Sequence, residues 1–152
     1  MLTLSRNILF YKKIGLPDTY ETRIYLMFIH FSILMIITKK KGSKFDQKTY
    51  DYFFHNIEYN LREMGFGDVS VNKKMKELNK ILYDILLKIS NSSEDDKSFK
   101  INHSLVSKYF VNLKDTKSTQ FVNFETYFES FFHFCFEIAL DSMIEEIEKF
   151  KY

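Results

Sequence analysis

From Ile24 to Ile37 the chain is apolar on nearly every side, interrupted only by His30 and Ser32. Such a run either crosses a membrane or becomes the helix around which the rest of the fold packs. Its fourteen residues make ~21 Å of helix, short of the ~30 Å of hydrocarbon in a bilayer. Glu21 and Arg23 close off one end and Lys39-Lys40-Lys41 the other. The run therefore reads as a buried central helix, from about Thr19 to Thr38. Arg23 and His30 lie seven apart, on one face two turns apart. Polar groups on a buried helix need partners, and Glu58 on the next helix is the expected one for Arg23.

A single Pro and four Gly leave few breaks in the chain. With 45% hydrophobic residues, 17 Phe and 10 Tyr, the sequence predicts an all-α fold, one compact domain of about six helices spanning residues 1–152. The clearest boundary is Gly15-Leu16-Pro17-Asp18. Gly15 suits a left-handed position closing a first helix over about 3–14, and Pro17 forbids continuation. Asp18 with Glu21 suggests a capping box opening the central helix. Tyr50, Phe53, Phe54, Ile57, Leu61 and Met64 mark the apolar stripe of a third helix, about 45–64. Gly65 ends it, with Phe66 positioned to pack back on Leu61.

Asp68 or Ser70 then caps a fourth helix that runs to about Ile89 on Val71, Met75, Leu78, Leu82, Ile85 and Ile89. Asn91–Asp96 reads as an acidic loop, and a fifth helix follows over about 101–112. A long Phe-rich helix is expected from about 121 to 150. Core packing is the first reading of its aromatic arc; any exposed part would form a hydrophobic docking groove.

Charge is uneven. Residues 1–76 hold 13 Lys/Arg against 7 Asp/Glu, and residues 77–152 hold 9 against 13. A basic front and an acidic back suggest an oriented surface. Lys39–Lys41, Lys44, Arg62, Lys73, Lys74, Lys76 and Lys80 would form one positive surface if the loop after the central helix lies beside the corner of the third and fourth helices. Lipid headgroups or RNA phosphates are the anions such a surface would meet. Base-reading polar residues do not interleave with aromatics here, so no DNA partner is expected.

Cys135, the sole cysteine, sits in a Phe-rich run and reads as a buried thiol in a reducing compartment. No signal-peptide pattern is expected at Met1–Lys13. Phosphate-loop, GxSxG and HExxH motifs are missing, so neither enzyme chemistry nor a cofactor or metal is expected. Asp51, His55, Glu58 and Arg62 share a helical face at spacings of four, three and four, which reads as an ion-paired surface. A haem-handling or acid–base role for His30 or His55 is the enzymatic rival.

The densest segment is Leu61-Arg62-Glu63-Met64-Gly65-Phe66-Gly67-Asp68, followed by Val71 and Lys73-Lys74-Met75-Lys76. Two glycines one residue apart join two charged helices at a fixed angle. This reads as a rigid corner shaped for a partner. Together with Gly15, Pro17, Asp18, Arg23 and His30 before it and Tyr83 after it, the segment resembles the ubiquinol–cytochrome c chaperone family over about residues 8–112. Within that likeness Gly65, Gly67, Met75 and Tyr83 are structural positions, while Asn72 replaces a frequent Pro and Asp84-Ile85-Leu86 replaces a frequent Gly-Arg.

The resemblance implies an all-helical, non-catalytic chaperone for assembly of the bc1 complex, without a cofactor. It implies newly made cytochrome b as client, handled at the inner face of the membrane, and for mitochondrial members a small partner near the ribosomal exit. With no transit peptide expected, the chain resembles the bacterial form, cytoplasmic and peripherally membrane-associated. Arg62, Glu63, Asp68, Lys73, Lys74 and Lys76 are then the expected client- or partner-binding residues. The rival reading is a basic helical module that binds RNA or the ribosome.

Overall fold

The computed structural model describes residues 1–92 and 99–152. The described residues form helices and single helical turns, with no strand among them, so the fold is all-α. The helices are α1 (Leu2–Ser5), α2 (Tyr20–Lys40), α3 (Gln47–Glu63), α4 (Asp68–Ser92), α5 (His103–Tyr109), α6 (Thr119–Glu137) and α7 (Met143–Glu146). The loop expected at Asn91–Asp96 falls mostly outside the described residues; α4 itself extends to Ser92.

Helix α2 is the centre. It packs chiefly on α4, and also on α1 and α6. By length and composition it could cross a membrane, but 78% of its apolar window is buried inside the fold. Aromatic rings seat it on its neighbours. Phe31 stacks on Phe53 of α3 with centroids 4.1 Å apart and planes 7° from parallel. Ser32 in its middle is buried, with no hydrogen-bond partner for its hydroxyl among the described residues.

Several local expectations change. The first helix is not continuous over 3–14, because the Asn7 side chain accepts the Leu9 N–H at 3.0 Å. That local bond competes with helix propagation, and a π turn over Leu9–Lys13 follows. Gly15 does take the left-handed conformation, at φ +76°.

The cap of α2 is Thr19, whose hydroxyl accepts the Thr22 N–H at 3.2 Å. Asp18 is drawn instead to the guanidinium of Arg23, 2.6 Å from Nη2, a charged donor stronger than a backbone amide. Asp18 thus takes the role expected of Glu58, which Arg62 engages one turn along its own helix. The fifth helix is short, Asn102 capping it through the Ser104 N–H at 2.9 Å.

The Phe-rich helix also stops early. Helix α6 ends at Glu137 and Ile138 is extended, with ψ 143°. Neither Gly nor Pro stands there; tertiary contacts turn the chain. The Lys41 ammonium donates to the Ile138 carbonyl and lies over the Phe136 ring, 5.5 Å from its centroid. The chain then folds back, setting Phe150 5.3 Å from Phe131 and 5.2 Å from Phe134. The aromatic arc is core: Phe121, Phe124, Phe128, Phe131, Phe132 and Cys135 are buried. Burial pushes the Cys135 thiol up from its ordinary value, against the pull of Lys41.

Candidate docking corner

Helix α3 closes in a Schellman arrangement. The Gly65 N–H bonds the Arg62 carbonyl at 2.9 Å and the Phe66 N–H bonds the Leu61 carbonyl at 3.2 Å. Gly65 has φ +89°, the left-handed region that side chains disfavour. Gly67 starts α4 at once, its carbonyl accepting the Val71 N–H at 2.9 Å. The cap therefore lies one residue before Asp68, the earlier of the two expected positions, and the Asp68 carboxylate is free to turn back to α3.

Across this corner Arg62 bridges both helices. Its Nη2 lies 2.8 Å from Glu58 Oε1 and its Nη1 bonds Asp68. The hydrogen bonds it donates to Asp68 first, then to Glu58, hold its guanidinium above the ordinary value. A planar fork holding two carboxylates fixes the angle of the turn, although the pairs are exposed. Leu61 beneath them is buried.

The residues from Arg62 to Ser70 are all exposed. They include three large apolar side chains that sequence periodicity assigns to packing or leaves unremarked: Met64, 54% exposed, Phe66, 41%, and Val69, 84%. Tyr59, one turn before the corner, is exposed as well. The corner is an apolar tip pinned by an ion triad. Glu63 stands beside it, without an ion pair among the described residues.

The expected lysines divide. Lys73 and Lys76 are exposed, and Lys74 is half-buried 3.6 Å from Glu77. Met75 packs against the edge of the core, and Tyr83 is exposed. Lys39–Lys41 and Lys44 do not join this group. They sit before the start of α3, whose 17 residues separate them from the corner by ~25 Å of helix. Lys41 is moreover turned to Ile138. The single positive surface is therefore two separate ones.

The histidines bear on the enzymatic rival. His30 is buried, with Nδ1 2.6 Å from the Leu26 carbonyl and Nε2 3.0 Å from the Tyr127 hydroxyl. A carbonyl can only accept, so Nδ1–H donates and Nε2 accepts from Tyr127. Both nitrogens are engaged, leaving none for a ligand. His55 lines a shallow groove between α3 and α4 with Asp51, Glu58 and Met75. Among the described residues no group of His, Cys, Asp and Glu is placed to hold a metal ion.

One organising residue carries no signal in the sequence beyond its charge. Asp84 accepts Lys108 at 2.9 Å and the Tyr109 hydroxyl at 2.6 Å, and also pairs with Lys88, clasping α5 onto α4. Burial raises its carboxyl, but the hydrogen bonds from Lys88, Tyr109 and Lys108 outweigh that and hold it well below the usual carboxylate range.

Neither the curated proteins nor the solved structures give a match. The family model for the ubiquinol-cytochrome C chaperone matches residues 12–133, from the π turn through the corner and into most of α6. The match extends past the stretch that carries the sequence motifs, and by it the chain belongs to the ubiquinol-cytochrome C chaperone family.

Proposed function

We propose that the chain is a non-catalytic assembly chaperone that holds newly made cytochrome b for the bc1 complex, at the inner face of the cytoplasmic membrane. Family membership supports a client in that complex. The observation that carries the finer reading is the pinned corner, where Met64, Phe66 and Val69 stand exposed beside Arg62, Glu63 and Asp68. A client whose apolar helices and polar loops are both unsatisfied needs such a mixed surface. Lys73, Lys74 and Lys76, on the helix leaving the corner, would hold the chaperone near anionic headgroups at ~1 kcal/mol per well-placed lysine. Release follows when the client packs with later subunits. A ribosome-exit contact during synthesis fits the same placement.

The test is an affinity capture of the tagged full chain from its native membranes. Enrichment of cytochrome b over other membrane proteins is the expected result. Capture of ribosomes without cytochrome b would overturn the proposal in favour of an RNA-binding module.

A further inference from the structure

The segment after α6 is amphipathic and covers an aromatic floor. Leu140, Met143, Ile147 and Phe150 recur at spacings of three, four and three, and Met143 and Ile147 are buried. By helical register Asp141, Glu145 and Glu148 take the other side, and all three are exposed. This is the pattern of a helix docked by one face. The Phe150 ring lies 5.5 Å from Tyr127, 5.3 Å from Phe131 and 5.2 Å from Phe134. Tyr152 adds a second contact on Tyr127, at 5.2 Å.

Little besides apolar contact holds this cover. Lys41 latches its start by bonding the Ile138 carbonyl. Beyond that residue the side-chain hydrogen bonds among the described residues close within the segment, Ser142 to Ala139 and Lys149 to Glu146. Glu148 lies within Coulombic reach of the Met1 amino group. The regular part is α7, flanked by single 3-10 turns over Leu140–Ser142 and Ile147–Lys149. A cleft of about 220 Å³ lies between Leu140 and Met143 on the cover and Thr38 and Phe45 on the body. Short elements with few polar ties to the body are where local opening costs least. The floor at Tyr127 and Phe131 falls inside the residues the family model matches, and the cover falls wholly beyond them.

We propose that Tyr127, Phe131 and Phe134 form a docking site masked by the chain's own segment 139–152, and that its occupant is an amphipathic helix of another polypeptide with an aromatic residue where Phe150 stands. The cover is the template for that occupant. It seats one ring among three, at separations suited to aromatic pairing, and turns its acidic edge outward. Opening bares the three rings, and an apolar helix edge closes them again. A tethered cover acts at an effective concentration on the order of millimolar, so the site stays shut until a tighter segment competes. A second copy offers only the same segment, which each chain already supplies to itself at that advantage. The masked site does not depend on which protein is the client.

The test uses the full chain and a labelled synthetic peptide of residues 139–152, with a control peptide carrying Phe150→Ala. By fluorescence anisotropy the wild type binds the peptide weakly. The Phe150→Ala chain binds it at least ~10-fold more tightly, because its own cover has lost the anchoring ring and the site is open more often. The control peptide shows no such gain. Adding Phe134→Ala to the Phe150→Ala chain removes the gain while far-UV circular dichroism stays at the level of the single variant. Hydrogen exchange reads the wild type without any substitution: amides of 140–149 exchange faster than those of 124–135, as a cover that opens by itself requires.

Equal affinity of the wild type and Phe150→Ala for the peptide overturns the inference. So does a gain shared by the control peptide, or exchange over 140–149 as slow as in α6. Phosphatidylglycerol vesicles that displace the peptide from the Phe150→Ala chain would give the floor to lipid, and a wild-type dimer that exchanges this segment would give it to a second copy; either result overturns the proposed occupant.

Discussion

His30 of α2 and Tyr127 of α6, 97 positions apart, share a 3.0 Å hydrogen bond in an aromatic cage. Phe128 and Phe131 lie 4.9 Å and 4.7 Å from the imidazole, ring to ring. Burial, partly offset by the Leu26 carbonyl, pushes the His30 pKa down to about 3, against about 6.5 in an unfolded chain. Between those values the unfolded state binds the extra proton. The contribution is therefore whole above about pH 6.5 and is lost as pH falls toward 3. From pH 7 to 5 the wild type should lose about 2 kcal/mol through this group. Urea unfolding of wild type and His30→Gln at both pH values checks it: the gap between them should narrow by that amount.

The Asp84 clasp has the opposite chemistry but the same direction. Its folded carboxyl is depressed, so its contribution is present above the unfolded pKa, about 4, and lost as pH falls below that. Asp84→Asn should cost about 1–2 kcal/mol at pH 7, the range for a partly exposed charged network. Hydrogen exchange should localise the loss to α5, with the deficit shrinking below pH 4.

The central position of α2 was legible because a run apolar on all sides and bounded by charges has few other fates. The corner was legible from Gly65, since a left-handed turn closing one periodic helix before the next favours glycine. The end of α6 was not. Nothing local distinguishes Ile138 from a helical residue; its carbonyl is taken by Lys41, 97 positions away. Likewise Asp18 and Glu58 compete for the same kind of partner, and only the fold decides which guanidinium each meets. Asp84 was invisible as a clasp because Lys108 and Tyr109 reach it from a different helix.

Gly65 tests how rigid the corner must be. A Cβ added there would meet nothing within 4 Å, so Gly65→Ala probes backbone strain alone. At φ +89° the cost should be about 1–2 kcal/mol. Gly65→Asn should cost less, because Asn tolerates the left-handed region. Thermal unfolding ranks the three proteins; equal stability of wild type and Gly65→Ala would mean that the turn relaxes elsewhere.

Ser32 offers a stabilising change. Its buried hydroxyl lacks a partner among the described residues, and an unsatisfied buried hydroxyl costs about 1–3 kcal/mol. Ser32→Ala removes that group, improves helix propensity and leaves almost no void. A gain of about 1 kcal/mol in urea unfolding is expected; a loss would show that the hydroxyl is satisfied in solution.

Arg62 separates stability from grip. Its side chain is 42% exposed, and exposed ion pairs add little to folding. Arg62→Ala should therefore unfold at nearly the wild-type temperature. The same change frees Glu58 and Asp68 and loosens the angle at which Met64, Phe66 and Val69 are presented. If the corner grips the client, capture of cytochrome b from native membranes should fall severalfold in Arg62→Ala. Asp68→Ala, which cuts the bridge to α4 while leaving Glu58 paired, should show the same loss. Combining the two should add little, because both remove one link. Losses that simply multiply would mean Arg62 and Asp68 touch the client separately. No loss in either would place the grip elsewhere on the chain.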